Sequence, residues 1–172
     1  MAHHNPLSPA DIRAYYIEHP KTRERDLAQK LDISEAALIA AQCGDLVTRI
    51  DPHPDTIMNL AVKLGEVMAL TRNDSCVHEK VGVYDNYHPG GHAAMVLTED
   101  IDLRIFPSHW KHAFLVEKQT DEQLRRSIQV FDAAGDAVHK IFIRSAEGHR
   151  IWENYREIGA LEAQTQTLTT TP

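Results

Sequence analysis

Ser127-Ile128-Gln129-Val130-Phe131-Asp132-Ala133-Ala134-Gly135-Asp136-Ala137-Val138-His139-Lys140 decides the fold. Polar and apolar side chains alternate from Ser127 to Val130, the period-2 signature of a strand, and a second strand is read from Ala137. The link Ala133-Ala134-Gly135-Asp136 is of hairpin length, which forces the two strands antiparallel. Ser127, Gln129 and Phe131 share one face of the first strand. In the second, His139, Ile141 and Ile143 lie opposite Val138, Lys140 and Phe142. A second stretch, Asp102-Leu103-Arg104-Ile105-Phe106-Pro107-Ser108-His109-Trp110, is expected to face this hairpin. There Leu103 and Ile105 point to plain core, while Asp102, Arg104 and Phe106 point the other way.

The same period runs outward from these segments. It predicts strands at 66–72, 76–84, 92–97, 102–106, 113–119, 126–132 and 137–144. Short links at Asn73-Asp74 and Thr98-Glu99-Asp100 again favour antiparallel neighbours. Two longer links, Asp85 to Gly91 and Pro107 to His112, are the kind that carry function. Residues 8 to 65 read as helices instead. Ser8-Pro9-Ala10-Asp11 supplies a cap, a proline at the first helical position and an acid. Leu27, Ala28 and Leu31 form a second apolar stripe, Ser34 starts a third helix running to about Gly44, and Asp55 is read as the cap of a fourth that Gly65 stops. A last helix begins near Glu147 or Gly148 and carries Ile151, Trp152, Tyr155 and Ile158. The prediction is an α+β fold: a large antiparallel meander or two-layer sheet, with N-terminal helices and one C-terminal helix packed on it. Residues 1–160 form the folded unit, and the Thr/Gln-rich 161–172 is a flexible tail or interdomain linker.

Bulk properties narrow the function. A chain of 172 residues suits one domain. A net charge of −7 creates no global field for nucleic acid or an anionic membrane. No apolar run approaches the roughly 18 residues of a membrane span, and the N-terminus lacks an apolar signal core, so a cytoplasmic location is expected. Cys43 and Cys76 lie in separate elements and form no CxxC pair. Histidines are numerous, at 11, but they are scattered as single residues, and the HxxxH and HExxH metal spacings on one helix face are absent. His3 and His4 are given no role. There is no GxSxG and no phosphate-cradling glycine loop.

Residues 25–38 have the outline of a helix-turn-helix. A DNA reader needs basic and amide side chains on its second helix. Here that helix reads Glu35, Ala36, Ala37, Leu38, Ile39, Ala40, Ala41, Gln42, with no positive charge, so an αα packing unit is preferred over a DNA-associated regulator. The sheet is more informative. Phe106 and Phe131 are poor choices for an exposed face, and arginine and glutamine are poor choices for a dry core. A half-open apolar pocket with a few polar groups accommodates both. A flat apolar anion suits such a pocket; haem is one, with carboxylates for an arginine and an iron that accepts a neutral imidazole. His78, on one face with Lys80 and Tyr84, is the first candidate for that nitrogen, and His88 and His92, flanking Pro89-Gly90-Gly91, are the alternatives.

The ordered series of segments resembles one half of the bacterial cytoplasmic haemin-degrading, or haemin-transport, family. The segments are Arg23-Glu24-Arg25-Asp26-Leu27-Ala28, Gly65-Glu66-Val67-Met68-Ala69-Leu70-Thr71-Arg72-Asn73, Val77-His78-Glu79, Gly82-Val83-Tyr84, and Asp102 to Phe106 with Trp110. Ser127 to Asp132 and Gly135 to Lys140 complete it, and the match is to the N-terminal half. The resemblance implies a large antiparallel sheet with flanking helices, and haem binding in the cytoplasm for iron release. It implies a homologous C-terminal domain beyond this chain, which in the family carries the iron-ligating histidine. Arg104 and Phe106 match the arginine and phenylalanine on the other side of the haem, with Phe131 expected on the same wall. In the isolated half His78 is expected to serve the iron. The implied chemistry is oxidative opening of the haem ring with an external electron donor, Arg104 being the catalytic residue; a carrier that hands haem to a partner would use the same pocket.

Overall fold

The computed structural model describes residues 7–172; His3 and His4 lie outside the described residues. Helix α1 (Pro9–Glu18) starts as its sequence dictates, with Ser8 and Asp11 closing a reciprocal capping box. Helices α2 (Glu24–Lys30) and α3 (Glu35–Ala40) follow, and α3 ends sooner than the apolar run suggests. Strand β1 (Val47–Ile50) comes next, then α4 (Pro54–Ala61). The cap of α4 is His53 rather than Asp55: its Nδ1 accepts the Asp55 N–H at 3.1 Å, with Pro54 at the first helical position. Strands β2 (Glu66–Arg72), β3 (Val77–Val83), β4 (Tyr87–His88), β5 (Ala94–Leu97) and β6 (Asp102–Ile105) lead to a 3₁₀ turn at Pro107–His109. Strands β7 (His112–Gln119), β8 (Leu124–Phe131) and β9 (Ala137–Ile143) precede the Ser145-capped helix α5 (Ala146–Ile158).

The α+β class and the antiparallel pairing match the expectation, but the strands divide between two sheets. The large sheet has six strands in the order β1-β7-β8-β9-β2-β3; β4-β5-β6 forms a separate sheet of three. The stretch 102–106 therefore does not pair with the 127–140 hairpin. It faces that hairpin across an interface.

Alternation gives the large sheet two different faces. On one, Ala113, Leu115, Ile128, Val130, Ile141, Val67 and Ala69 pack against α4, Trp152 of α5, and Ala94, Val96 and Ile105 of the small sheet. On the other, Phe114, Val116 and Phe131 pack under Ala36, Ile39 and Ala40 of α3. Helices α1 and α2 cover α3 in turn, through Ile12, Leu27, Ala28 and Leu38. Each fully buried side chain of this size contributes about 1.5–3 kcal/mol. A buried pair, Lys140 Nζ to Glu35 Oε1 at 3.1 Å, ties β9 to α3. Helix α3 is thus enclosed, and Ala36, Leu38, Ile39 and Ala40 have no exposed surface.

Two glycines permit close approaches that set this arrangement. Gly135, at φ +87°, lies where a Cβ would come within 2.5 Å of Ser34, so the β8–β9 turn can dock on the start of α3. A Cβ on Gly82 would lie 2.8 Å from Asp100 Cβ, so the β5–β6 turn can rest on β3. The Thr/Gln-rich tail runs along β1: Leu161 N–H donates to Arg49 O at 3.0 Å, and the Gln164 side chain accepts from Arg49 N at 2.7 Å and donates to its O at 3.0 Å. Leu168 packs against the α3 cluster, and Thr171 N–H donates to Ala133 O at 2.8 Å.

Candidate functional site

A half-open cleft of about 250 Å³ lies where the small sheet meets β2 and β9 of the large one. Strand β6 ends at Ile105, and Pro107 turns the chain through the 3₁₀ turn. That turn leaves Phe106 about half-exposed at the rim and buries Trp110. Leu103, Ile105, Trp110 and Val138 supply apolar lining; Thr71, Arg104, His109 and His139 supply the polar groups. Thr71, Leu103 and His139 also border a smaller lobe, lined on its far side by His78, Lys80, Asp100 and Asp102.

The cations of the cleft are each held by an acid. Arg104 Nη1 lies 2.6 Å from Asp102 Oδ1 and donates to Leu103 O at 3.3 Å. Lys80 Nζ lies 3.3 Å from Asp100 Oδ1. All four of these side chains are about half-exposed or more, so the pairs are weak and open to exchange with an anionic ligand.

The inner end of the cleft is built differently. His139 is buried, its ring stacked on Trp110 at 6.5 Å between centroids. Its Nδ1 lies 2.9 Å from Thr71 Oγ1 and its Nε2 lies 2.5 Å from the buried Tyr84 hydroxyl. Burial alone pulls the His139 pKa down to about 4, so the ring is neutral near pH 7; burial also pushes the Tyr84 phenol up.

The residues singled out from sequence separate in the structure. Arg104 and Phe106 share the cleft, and the Phe106 ring meets His92 edge-on at 6.1 Å. His78 lies in the smaller lobe, opposite Thr71 across the β2–β3 pair. His88 is outside the cleft, its Nε2 2.9 Å from Asn86 Oδ1. Phe131 is not brought to the cleft. It stacks edge-on against Phe114 at 5.9 Å beneath α3, because its neighbour Val130 is the one that faces His139's side of the sheet. Sequence reasoning gave no role to Thr71, His109 or Tyr84. A histidine in line with Ile141 and Ile143 was a visible signal for His139, but its partners are 68 and 55 residues away. An apolar-lined cleft with a half-exposed aromatic ring, one exchangeable arginine and imidazoles at the rim can hold one side of a flat, largely apolar anion.

Comparison with known proteins agrees with this architecture. The chain is 39% identical over 137 residues to the hemin transport protein HmuS of Yersinia pestis, covering 79% of this chain and 40% of that protein. Holo-PhuS, a heme-binding protein from Pseudomonas aeruginosa, superposes with a TM-score of 0.89 at 37% identity, covering 96% of this chain and 50% of that one. The heme degrading enzyme ChuS of Escherichia coli O157:H7 superposes with a TM-score of 0.86 at 27% identity, over 96% of this chain and 51% of that one. The chain thus spans about half the length of the relatives it matches. The haemin-degrading HemS.ChuX domain family matches residues 32–158, and the chain belongs to that family.

Proposed function

We propose that this chain binds haem in the cleft between its two sheets and takes part in haem degradation for iron release in the cytoplasm. The observation that carries the reading is the joint placement of Arg104 and Phe106 on one apolar-lined wall, in a fold of the haemin-degrading family. At about 250 Å³ the cleft is smaller than the roughly 300–1,000 Å³ of a pocket that encloses its ligand, so it suits one face of a large disc. A second, homologous domain would supply the opposite wall, and an external donor would supply electrons.

On this reading Phe106, Leu103 and Trp110 pack the macrocycle and exclude water from its face. Arg104 exchanges Asp102 for an anionic oxygen of the ligand or of a group on the iron, as guanidinium does well. Haem, when bound, supplies the redox chemistry; this chain supplies orientation and a hydrogen-bond donor. The floor histidine, His139, has both ring nitrogens engaged, so within this chain an imidazole for the iron would come from the rim. His78 is one candidate; His109 and His92 lie nearer Arg104 and Phe106 and are the first to replace with alanine.

Titrating haemin into the protein and following absorbance tests the reading. A saturable shift of the Soret band is expected; no shift would overturn it. Adding reductant and oxygen then divides degradation from carriage. Loss of the Soret band with release of iron marks degradation, and a stable spectrum marks a carrier that passes haem on.

A further inference from the structure

Thr71, His139 and Tyr84 form a polar chain from the cleft into the core, and its proton order follows from which atoms have partners. Thr71 is exposed and borders both lobes; His139 is 5% exposed and Tyr84 is fully buried. The Tyr84 hydroxyl meets His139 Nε2 and no second polar partner among the described residues. A buried O–H with one neighbour must donate to it, or else remain an unmatched buried donor. Nε2 is then the acceptor, so the neutral ring carries its proton on Nδ1 and donates to Thr71 Oγ1. Trp110 stacked on the ring keeps its plane fixed. The hydroxyl proton of Thr71 is thereby free of His139 and available to the cleft that the side chain borders.

The place where that proton emerges is chemically specific. On one side lies the apolar lobe with Phe106 and Trp110; on the other lies the lobe with His78 and Lys80. An apolar disc with carboxylates at one edge crosses this boundary where its apolar body ends and its acids begin. We propose that Thr71 is a specificity-determining hydrogen-bond donor to a carboxylate oxygen of the ligand, and that His139 and Tyr84 are positioning residues that fix its direction. The inference rests on the haem reading for the identity of the ligand, and on the hydrogen-bond order alone for the donor.

Two measurements test the two parts separately. The first is the tautomer of His139 by ¹⁵N NMR of the ligand-free protein. The Nδ1–H form is expected; the Nε2–H form would overturn the relay whatever the ligand. The second compares haemin with its dimethyl ester, which keeps the disc and iron and masks both acids. Thr71→Val should weaken haemin binding about tenfold, the scale of a hydrogen bond to a charged group, and leave the ester within about twofold. Thr71→Ser should restore haemin affinity. Tyr84→Phe, with its fold verified by circular dichroism, should reproduce the loss and add nothing to Thr71→Val. Equal losses for haemin and ester, or no loss for either, would overturn the donor role. Failure of the parent protein to bind haemin would overturn the ligand assignment together with the haem reading, while the tautomer still decides the relay.

Discussion

The two faces of the β7-β8-β9 strands are made by neighbouring residues and behave as different materials. Beneath α3, Phe114 and Phe131 close an apolar core, and the polar groups there pair with one another, Gln129 Nε2 with Ser127 Oγ at 3.0 Å and Lys140 Nζ with Glu35 Oε1 at 3.1 Å, which leaves Gln129 Oε1 and Glu35 Oε2 buried without a partner. One residue along each strand, Val130 and His139 look the other way, toward the small sheet and the cleft. That face ends in a rim where Phe106 stays half-exposed and Arg104 is held by the half-exposed Asp102 carboxylate and the Leu103 carbonyl. The lesson is that aromatic residues of similar sequence context can serve opposite ends. Phe131 stabilises the fold, and Phe106 keeps an open face at the rim of the cleft.

Four substitutions or conditions would break or sharpen that contrast. Phe131→Ala should cost about 3–5 kcal/mol of stability by chemical denaturation, while the folded fraction keeps the parent's haemin affinity. A lost affinity in the folded fraction would place Phe131 in the site after all. Next comes acid. His139 titrates at about 4 in the folded chain, below the ordinary histidine value. The unfolded chain therefore takes up a proton first as pH falls, and stability is fully present above about 6.5 and lost down to about 4. The loss should approach about 3 kcal/mol. Denaturation midpoints at pH 7 and 4.5 measure it, and His139→Gln should flatten the difference. Arg104→Ala should leave stability within about 0.5 kcal/mol and slow reductant-driven haem loss about tenfold, with a smaller change in haemin affinity. Equal rates for mutant and parent would contradict its role. The smallest effect belongs to Phe106→Ala: little change in stability, and haemin affinity lowered about fivefold for the apolar surface that the ligand no longer covers.

Much of the fold was legible because period 2 and period 3.6 are local properties. The strands from Glu66 onward, β4 apart, and the Ser8 and Ser34 caps follow from residues within a few positions of each other. The division into two sheets was not legible. It depends on β2 joining β9 and β1 joining β7, pairings between distant segments. Strand β1 is 4 residues long and β4 is 2, too short for any period to register. The site divides in the same way. Arg104 and Phe106 stand out because an alternating strand displays them together. Phe131 was placed on the wrong face because its direction depends on where α3 packs. The Thr71–His139–Tyr84 chain joins β2, β9 and the residue just after β3, and has no local signature at all.

The central claim is that ligand contact is confined to the cleft face of the sheet. The most direct measurement is an amide NMR titration with gallium protoporphyrin IX, a diamagnetic stand-in for haemin. The account predicts saturable shift changes at Leu103 to Trp110, Thr71, Val138 and His139, with Phe114, Phe131 and α3 unmoved. Changes centred on α3, or none at any residue, would contradict it.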